Sequence, residues 1–323
     1  MRTVINELSK LEIDVKWLGT SRSKFLRVMR LTRLVFLGPK RADEVDFVYT
    51  PHVIPRLYKA PHILRIHDIF PLTNPTWFRF SSTVFFKISL LTHKKSFYLF
   101  DSQSSKTNFE KYFGDYNSKN SGVMYCKVRS FPENDYCKIC RACKMHTDDK
   151  FQEYGLAVGT IEPRKNYDFL LNFWNFESNG PDRKLPLFIV GDEGWKTSRL
   201  VKRLKKNNSH VIWLEKICDS SLRRLYQGAE IFVSTSRAEG YNLPVEEALS
   251  FGIPVVISSV ETHREIYGNR ATFFDLNSES SFRFAVKHSL VNSKNHQIQT
   301  GNLHMPLIEQ IGMSDAVERV LQL

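Results

Sequence analysis

Between residues 154 and 275, short apolar runs recur between stretches of helical periodicity, and most of the runs stop at a glycine or a polar turn. Residues 155–159, 185–190, 211–214, 231–235, 254–257 and 271–274 read as strands. Helices are predicted over 167–177, 197–206 and 219–226, from 244 onward, and as a short piece near His263. Asn166 and Asp219 are the expected N-caps of the first and third of these. Strands this short and apolar, each followed by a helix, demand a parallel sheet covered on both faces. The fold class expected is therefore α/β with doubly wound parallel sheets.

Within that pattern, Ser236-Arg237-Ala238-Glu239-Gly240-Tyr241-Asn242-Leu243-Pro244-Val245-Glu246-Glu247 runs from strand end through a turn into a helix. Pro244 suits a first helical turn, and Gly252 suits the position just past the end. The turn holds Glu239, and the helix holds Glu247 eight positions later. Open α/β sheets bind ligands where strand ends meet helix N-termini. Two carboxylates there suit a ligand rich in hydroxyls. Glu246 points about 100° away from Glu247 around the helix and is expected to be structural.

The first half repeats the alternation more weakly, with strands expected at 13–18, 46–49, 63–66 and 97–100 and helices at 81–91 and 104–113. The expected division is a domain over 1–148 and a second over 149–305, with a closing helix over 306–323 packing back on the first. The 323 residues, 42% hydrophobic and 13% aromatic, suffice for two such cores.

Charge divides along the same line. Residues 1–150 hold 26 Lys and Arg against 14 Asp and Glu, and the remainder hold 20 against 20, so the first half carries the whole net charge of +12. A basic half favours an anionic partner. Arg22, Lys24, Arg27, Arg30 and Arg33 recur at mostly three-residue steps among Phe25, Leu26, Val28, Met29, Leu31 and Leu34, a basic stripe beside an apolar one. That pattern suits an anionic membrane surface or an ordinary helix packed on the sheet. No nucleic-acid-binding motif accompanies it. No apolar run reaches the roughly 18 residues of a membrane span. The first 30 residues show no signal-peptide pattern, so the expected location is cytoplasmic, with peripheral membrane contact.

Five cysteines without an export signal argue for free thiols. Cys137, Cys140 and Cys143, with Cys126 and His146 nearby, have a spacing that zinc or an iron–sulfur cluster could use. The segment lies where a connection between domains is expected, and no second C-x-x-C pair closes a site. No metal site is assigned.

A second turn, Gly159-Thr160-Ile161-Glu162-Pro163-Arg164-Lys165-Asn166, places two cations just before a helix. Cations beside free backbone N–H groups suit a diphosphate, although two solvated surface cations would look the same in isolation. Beside the acidic motif in one parallel sheet, they describe a site for a nucleotide sugar.

These residues resemble family 4 of the retaining glycosyltransferases, the glycosyl transferases group 1. The likeness rests on Gly159 with Glu162–Asn166, on Ser236 with Glu239–Pro244 and Glu247-Ala248, and on Gly252 with Pro254-Val255. It implies the GT-B architecture of two facing Rossmann-like domains. It implies that Arg164 and Lys165 hold the donor diphosphate, that Glu247 accepts from the ribose hydroxyls, and that Glu239 lies beside the donor sugar. Gly159 and the backbone of Gly240, Tyr241, Asn242 and Leu243 would approach the donor. Asn242 stands where the family more often has glycine, and asparagine tolerates the left-handed backbone. His67, in Ile66-His67-Asp68, resembles the family's His-Asp segment at the catalytic cleft, and Ser102 is a further candidate to line it.

The function so implied is transfer of a sugar, with GDP-mannose the favoured donor, to a lipid-linked or growing cell-surface glycan with retention of configuration. No cofactor or metal is expected if the two cations carry the leaving charge. One departure stands against it. The family begins with a strand and a glycine-rich loop, whereas residues 1–8 read as the helix after that loop, so the first domain is expected to lack its first strand. The alternative is a catalytically degenerate relative that binds nucleotide sugar or scaffolds a membrane assembly.

Overall fold

The computed structural model describes residues 46–56, 59–114, 120–129, 131, 153–176, 185–206, 210–295 and 313–321. The strand expected at 13–18, the helix at 1–8, the basic stretch from Arg22 to Arg33, Cys137, Cys140, Cys143 and His146 lie outside the described residues. The remainder divides into two units. One takes the described residues up to Pro75, then 79–125 and the C-terminal helix. The other takes 76–78 and the described residues from Cys126 to Asn295.

The first unit contains a parallel sheet in the order β1 (Val48–Thr50), β2 (His62–Ile66), β3 (Phe97–Phe100), β4 (Ser121–Val123). Strands β2 and β3 are buried at every position, and apart from His62 and Arg65 their residues are aliphatic or aromatic. Helices α1 (Phe70–Thr73) and α2 (Phe80–Leu91) lie between them in sequence, and α3 (Gln103–Phe113) follows β3. Ser102 does not line a cleft. It is fully buried and caps α3, its Oγ accepting the Ser105 N–H at 3.1 Å. The last helix, α10 (Met313–Leu321), lays Ala316 and Val317 against Ile63, Phe97 and Leu99.

The second unit is a six-stranded parallel sheet of β5 (Gly155–Val158), β6 (Leu187–Val190), β7 (Val211–Leu214), β8 (Ile231–Ser234), β9 (Val255–Ser258) and β10 (Thr272–Phe274). Its spatial order is β10-β9-β8-β5-β6-β7. Numbered within the unit, this is 3-2-1-4-5-6 read from the other edge, the Rossmann order. The order reverses between β5 and β8, the two neighbouring strands whose C-terminal turns carry the two motifs. Helices α4 (Tyr167–Phe173), α5 (Ser198–Lys205), α6 (Asp219–Gln227), α7 (Leu243–Ser250), α8 (Glu261–Tyr267) and α9 (Glu279–Asn295) connect and cover the strands. The two parallel-sheet α/β domains expected from the sequence are thus present.

Local details differ from the sequence reading. Helix α4 stops at Phe173 rather than at 177 because Trp174 leaves helical angles and turns into the core. There its indole N–H donates to Leu185 O at 3.0 Å. A Cβ at residue 155 would sit 2.3 Å from that ring, so only glycine fits there. Asp219 does not cap α6. Cys218 precedes the helix and its Sγ accepts the Ser221 N–H, while Asp219 occupies the first turn. Asn166 precedes α4 in a left-handed conformation, and its side chain makes no capping bond.

Candidate active site at the β5 and β8 turns

Lys165 and Glu239 meet at the reversal of strand order. The turn after β5 closes with a single 3-10 turn, Pro163–Lys165, and Asn166 at φ 55°, which swings the chain into α4. Thr235, at the end of β8, pins this bend by donating to the carbonyls of Lys165 and Asn166 at 3.0 and 3.1 Å. Gly159 leaves room for the lysine to fold back, since a Cβ there would lie 3.0 Å from Lys165 Cε. The ammonium donates to Glu239 Oε1 at 2.7 Å and to Asn242 Oδ1 at 3.3 Å.

Arg164 bonds the other Glu239 oxygen and the carbonyl of Ala238, and its Nη2 reaches Glu162 Oε1 at 2.6 Å. Glu239 is 5% exposed. Burial alone would raise its pKa, but Arg164 and Lys165 outweigh that and hold it at about 2. Burial, reinforced by Arg164, holds Lys165 below the usual lysine range against the pull of Glu239.

The turn after β8 is set just as firmly. Asn242 adopts φ 85° immediately before α7, the left-handed geometry that explains its place in a position suited to glycine. Its Nδ2 donates to Ser234 Oγ and to His263 Nε2 at 3.1 and 2.9 Å. His263 Nδ1 lies 2.8 Å from Ser258 O, so the tautomer with its proton on Nδ1 satisfies both contacts. Burial lowers the pKa of His263 to about 4, consistent with a neutral ring. Tyr267 donates to the carbonyls of Tyr241 and Asn242, and Thr262 to that of Glu239. Gly240 and Tyr241 are buried, while Leu243 is exposed at the helix start.

Glu247 has different partners. Arg129 Nε donates to its Oε1 at 2.7 Å and Tyr226 OH to its Oε2 at 2.8 Å. Arg129 also reaches Asp219, and its guanidinium lies 4.6 Å over the Phe131 ring. Glu246 forms a two-toothed pair with Arg270, a structural contact of the kind expected for it.

In the first unit, His67 Nδ1 lies 2.5 Å from Asp101 Oδ2, and Arg65 Nε lies 2.6 Å from Asp101 Oδ1. Burial lowers the pKa of His67, but the bond and charge of Asp101 raise it by more. Asp101 is held below the usual carboxylate range because His67 and Arg65 overcome its burial.

The sequence reading missed Asp101, Arg129, Tyr226 and His263. Asp101 had a usable signal: β2 and β3 pair in parallel with Ile66 beside Phe100, which brings 67 beside 101. Arg129 and Tyr226 lie in no motif. Among the described residues, no three His, Cys, Asp or Glu side chains gather as a metal site.

Residues 152–292 match the family model "Glycosyl transferases group 1". O-antigen chain mannosyltransferase B of Escherichia coli is 32% identical over 152 residues, 46% of this chain and 40% of the relative. O-antigen chain mannosyltransferase RfbU of Salmonella typhimurium is 26% identical over 247 residues, 74% of this chain and 63% of the relative. The chain thus spans less than two thirds of the length of either. The fold is shared with WaaG, a glycosyltransferase involved in lipopolysaccharide biosynthesis (TM-score 0.61, 15% identity, 96% of this chain and 80% of that one). It is also shared with Anabaena HepE in complex with UDP-glucose (TM-score 0.63, 15% identity, 98% and 87%). The likeness to these two structures concerns fold alone.

Proposed function

We propose that this chain, whose residues 152–292 match the group 1 glycosyl transferases, is a transferase of the family 4 type that moves a sugar from a nucleotide sugar to a glycan hydroxyl with retention of configuration. The observation that carries the reading is the convergence of Arg164 and Lys165 on Glu239 at the reversal point of the sheet. A donor diphosphate entering there exchanges one acceptor for another: it takes over hydrogen bonds from Arg164 and Lys165, and Glu239 turns toward the sugar. The same two cations then stabilise the charge that develops on the leaving diphosphate, so no metal is required for that task. The leaving phosphate accepts the proton of the attacking hydroxyl on the same face. Glu247 accepts from the ribose hydroxyls, and the N–H groups at the start of α7 face the donor. His67, held by Asp101, serves the sugar or the acceptor.

GDP-mannose is the favoured donor, since several relatives are named as mannosyltransferases. The acceptor is a lipid-linked or growing surface glycan, because those relatives are O-antigen enzymes. Such an acceptor places the protein peripherally on the cytoplasmic face of a membrane, with the basic first half toward anionic lipid. Purified protein should show a thermal shift with one nucleotide sugar among UDP-, GDP- and ADP-linked donors, and should transfer that sugar. Binding without transfer to any acceptor lipid or glycan would favour the non-catalytic alternative.

A further inference from the structure

At φ 85°, glycine would serve position 242 at less backbone cost than asparagine, so the Asn242 side chain has a reason of its own to be there. It is buried, and both ends of its amide are engaged. Nδ2 donates to Ser234 Oγ and His263 Nε2, and Oδ1 accepts from Lys165 Nζ at 3.3 Å. An amide fits the same space in either orientation, and its neighbours decide which end meets the lysine.

A backbone carbonyl settles the orientation. Ser258 O can only accept, and it lies 2.8 Å from His263 Nδ1, so Nδ1 carries the proton. Burial keeps the ring neutral at pH 7, which leaves Nε2 as an acceptor that must face an N–H. Asn242 Nδ2 supplies that N–H at 2.9 Å, and Oδ1 is thereby turned toward the ammonium. The opposite tautomer would turn Nδ2 against Lys165, donor against donor. Helix α8 exerts this control with two residues one turn apart. His263 sets the Asn242 side chain, and Tyr267 donates to the carbonyls of Tyr241 and Asn242.

We propose that Asn242 and His263 are positioning residues for Lys165: the oriented amide keeps the ammonium aimed at the donor diphosphate while Glu239 turns toward the sugar. Without that amide, Glu239 is the remaining hydrogen-bond partner of the ammonium among the described residues, and the two move together. The proposal rests on the reading above that Lys165 meets a diphosphate.

Calorimetry of the full chain with GDP, UDP and ADP tests it, with the matching nucleosides as controls. The diphosphate that the parent binds should bind about tenfold more weakly to Asn242→Gly, while its nucleoside binds both proteins equally. Glycine suits φ 85°, so the turn is kept in this variant, and a melting curve checks the fold. His263→Leu, which gives Asn242 no acceptor, should also lose about tenfold, whereas His263→Gln, which offers an oxygen, should lose less than about threefold. A role in packing alone would rank leucine at least equal to glutamine. Nitrogen-15 NMR of the parent should show the His263 proton on Nδ1. A proton on Nε2, unchanged diphosphate affinity in Asn242→Gly, equal losses of diphosphate and nucleoside, or a leucine variant that binds as well as the glutamine one would each overturn the proposal. A parent that binds no nucleoside diphosphate would overturn the nucleotide-sugar reading and the proposal with it. A parent that binds and transfers normally beside an unaffected Asn242→Gly would overturn the proposal alone.

Discussion

Arg129 binds two acids at once: its Nε lies 2.7 Å from Glu247 Oε1 and its Nη1 lies 2.8 Å from Asp219 Oδ1. The Glu247 side chain is 6% exposed and that of Arg129 is 45% exposed, so the guanidinium covers the carboxylate from the solvent side. In the proposed function the ribose hydroxyls need that oxygen. Arg129 then competes with them, and Asp219 gives it a second acceptor when it is displaced. Arg129→Ala should tighten nucleoside diphosphate binding several-fold by calorimetry, with only a modest change in melting, because Glu247 keeps the Tyr226 hydroxyl and is opened to water once the half-exposed guanidinium is gone. A nucleotide lacking the ribose hydroxyls should show none of the gain. Weaker binding by the variant would instead make Arg129 a positioning residue for Glu247.

The legible part of this chain was whatever depends on local pattern. Apolar strands and helix starts announced an α/β sheet, and the left-handed turn at Asn242 could be foreseen because asparagine stood in a position suited to glycine. The meeting of Lys165 with Glu239 was legible at one remove, through the rule that adjacent strand ends at a reversal share a ligand. Arg129 was not legible, because it lies in no motif and its partners Glu247 and Asp219 stand 118 and 90 positions away in sequence. Nor was the cap at Cys218, since aspartate beside it is the stronger local signal. Trp174 ended α4 through a tertiary contact with Leu185, which no helix propensity records.

Adjacent glutamates of α7 should behave oppositely. Glu246 is buried and paired through both oxygens with Arg270. Arg270→Gln leaves that carboxylate without its counter-charge and should destabilise the protein by about 3 kcal/mol, read from denaturant unfolding, with nucleotide affinity unchanged. Glu247→Gln should do the reverse, weakening nucleotide binding about tenfold at modest cost in stability. Loss of nucleotide affinity in the Arg270 variant would count against this division.

The pairing of His67 with Asp101 has a pH signature. A histidine whose folded pKa lies above its unfolded value contributes stability that is fully present below the unfolded value and is lost as pH rises through the folded one. Its aspartate, with a lowered pKa, contributes stability that is lost as pH falls through the folded value. Imidazole NMR should therefore give His67 a midpoint above 6.5. Asp101→Asn removes the cause and should bring the midpoint below that of the parent. If His67 also serves transfer, the alkaline limb of the rate should move down in pH with the same substitution.

The Lys165–Glu239 pair separates stability from chemistry. A carboxylate lowered from 4.5 to about 2 holds stability above pH 4.5 that is lost as pH falls toward 2, at most on the order of 3 kcal/mol. Lys165 works in the opposite sense, because a buried cation with a lowered pKa costs stability at neutral pH. The single losses are unequal: Glu239→Gln leaves the Lys165 ammonium buried without its carboxylate and should cost about 3 kcal/mol, whereas Lys165→Met leaves Glu239 with Arg164 and should cost less. Removing both should cost less than the two single losses combined, because neither buried charge is then left without its partner. Turnover should not follow that pattern. If Lys165 carries the leaving diphosphate, transfer should fall at least about a hundredfold in Lys165→Met and stay low in the double variant, however well it folds. A double variant that regained both stability and turnover would show that the pair is structural only.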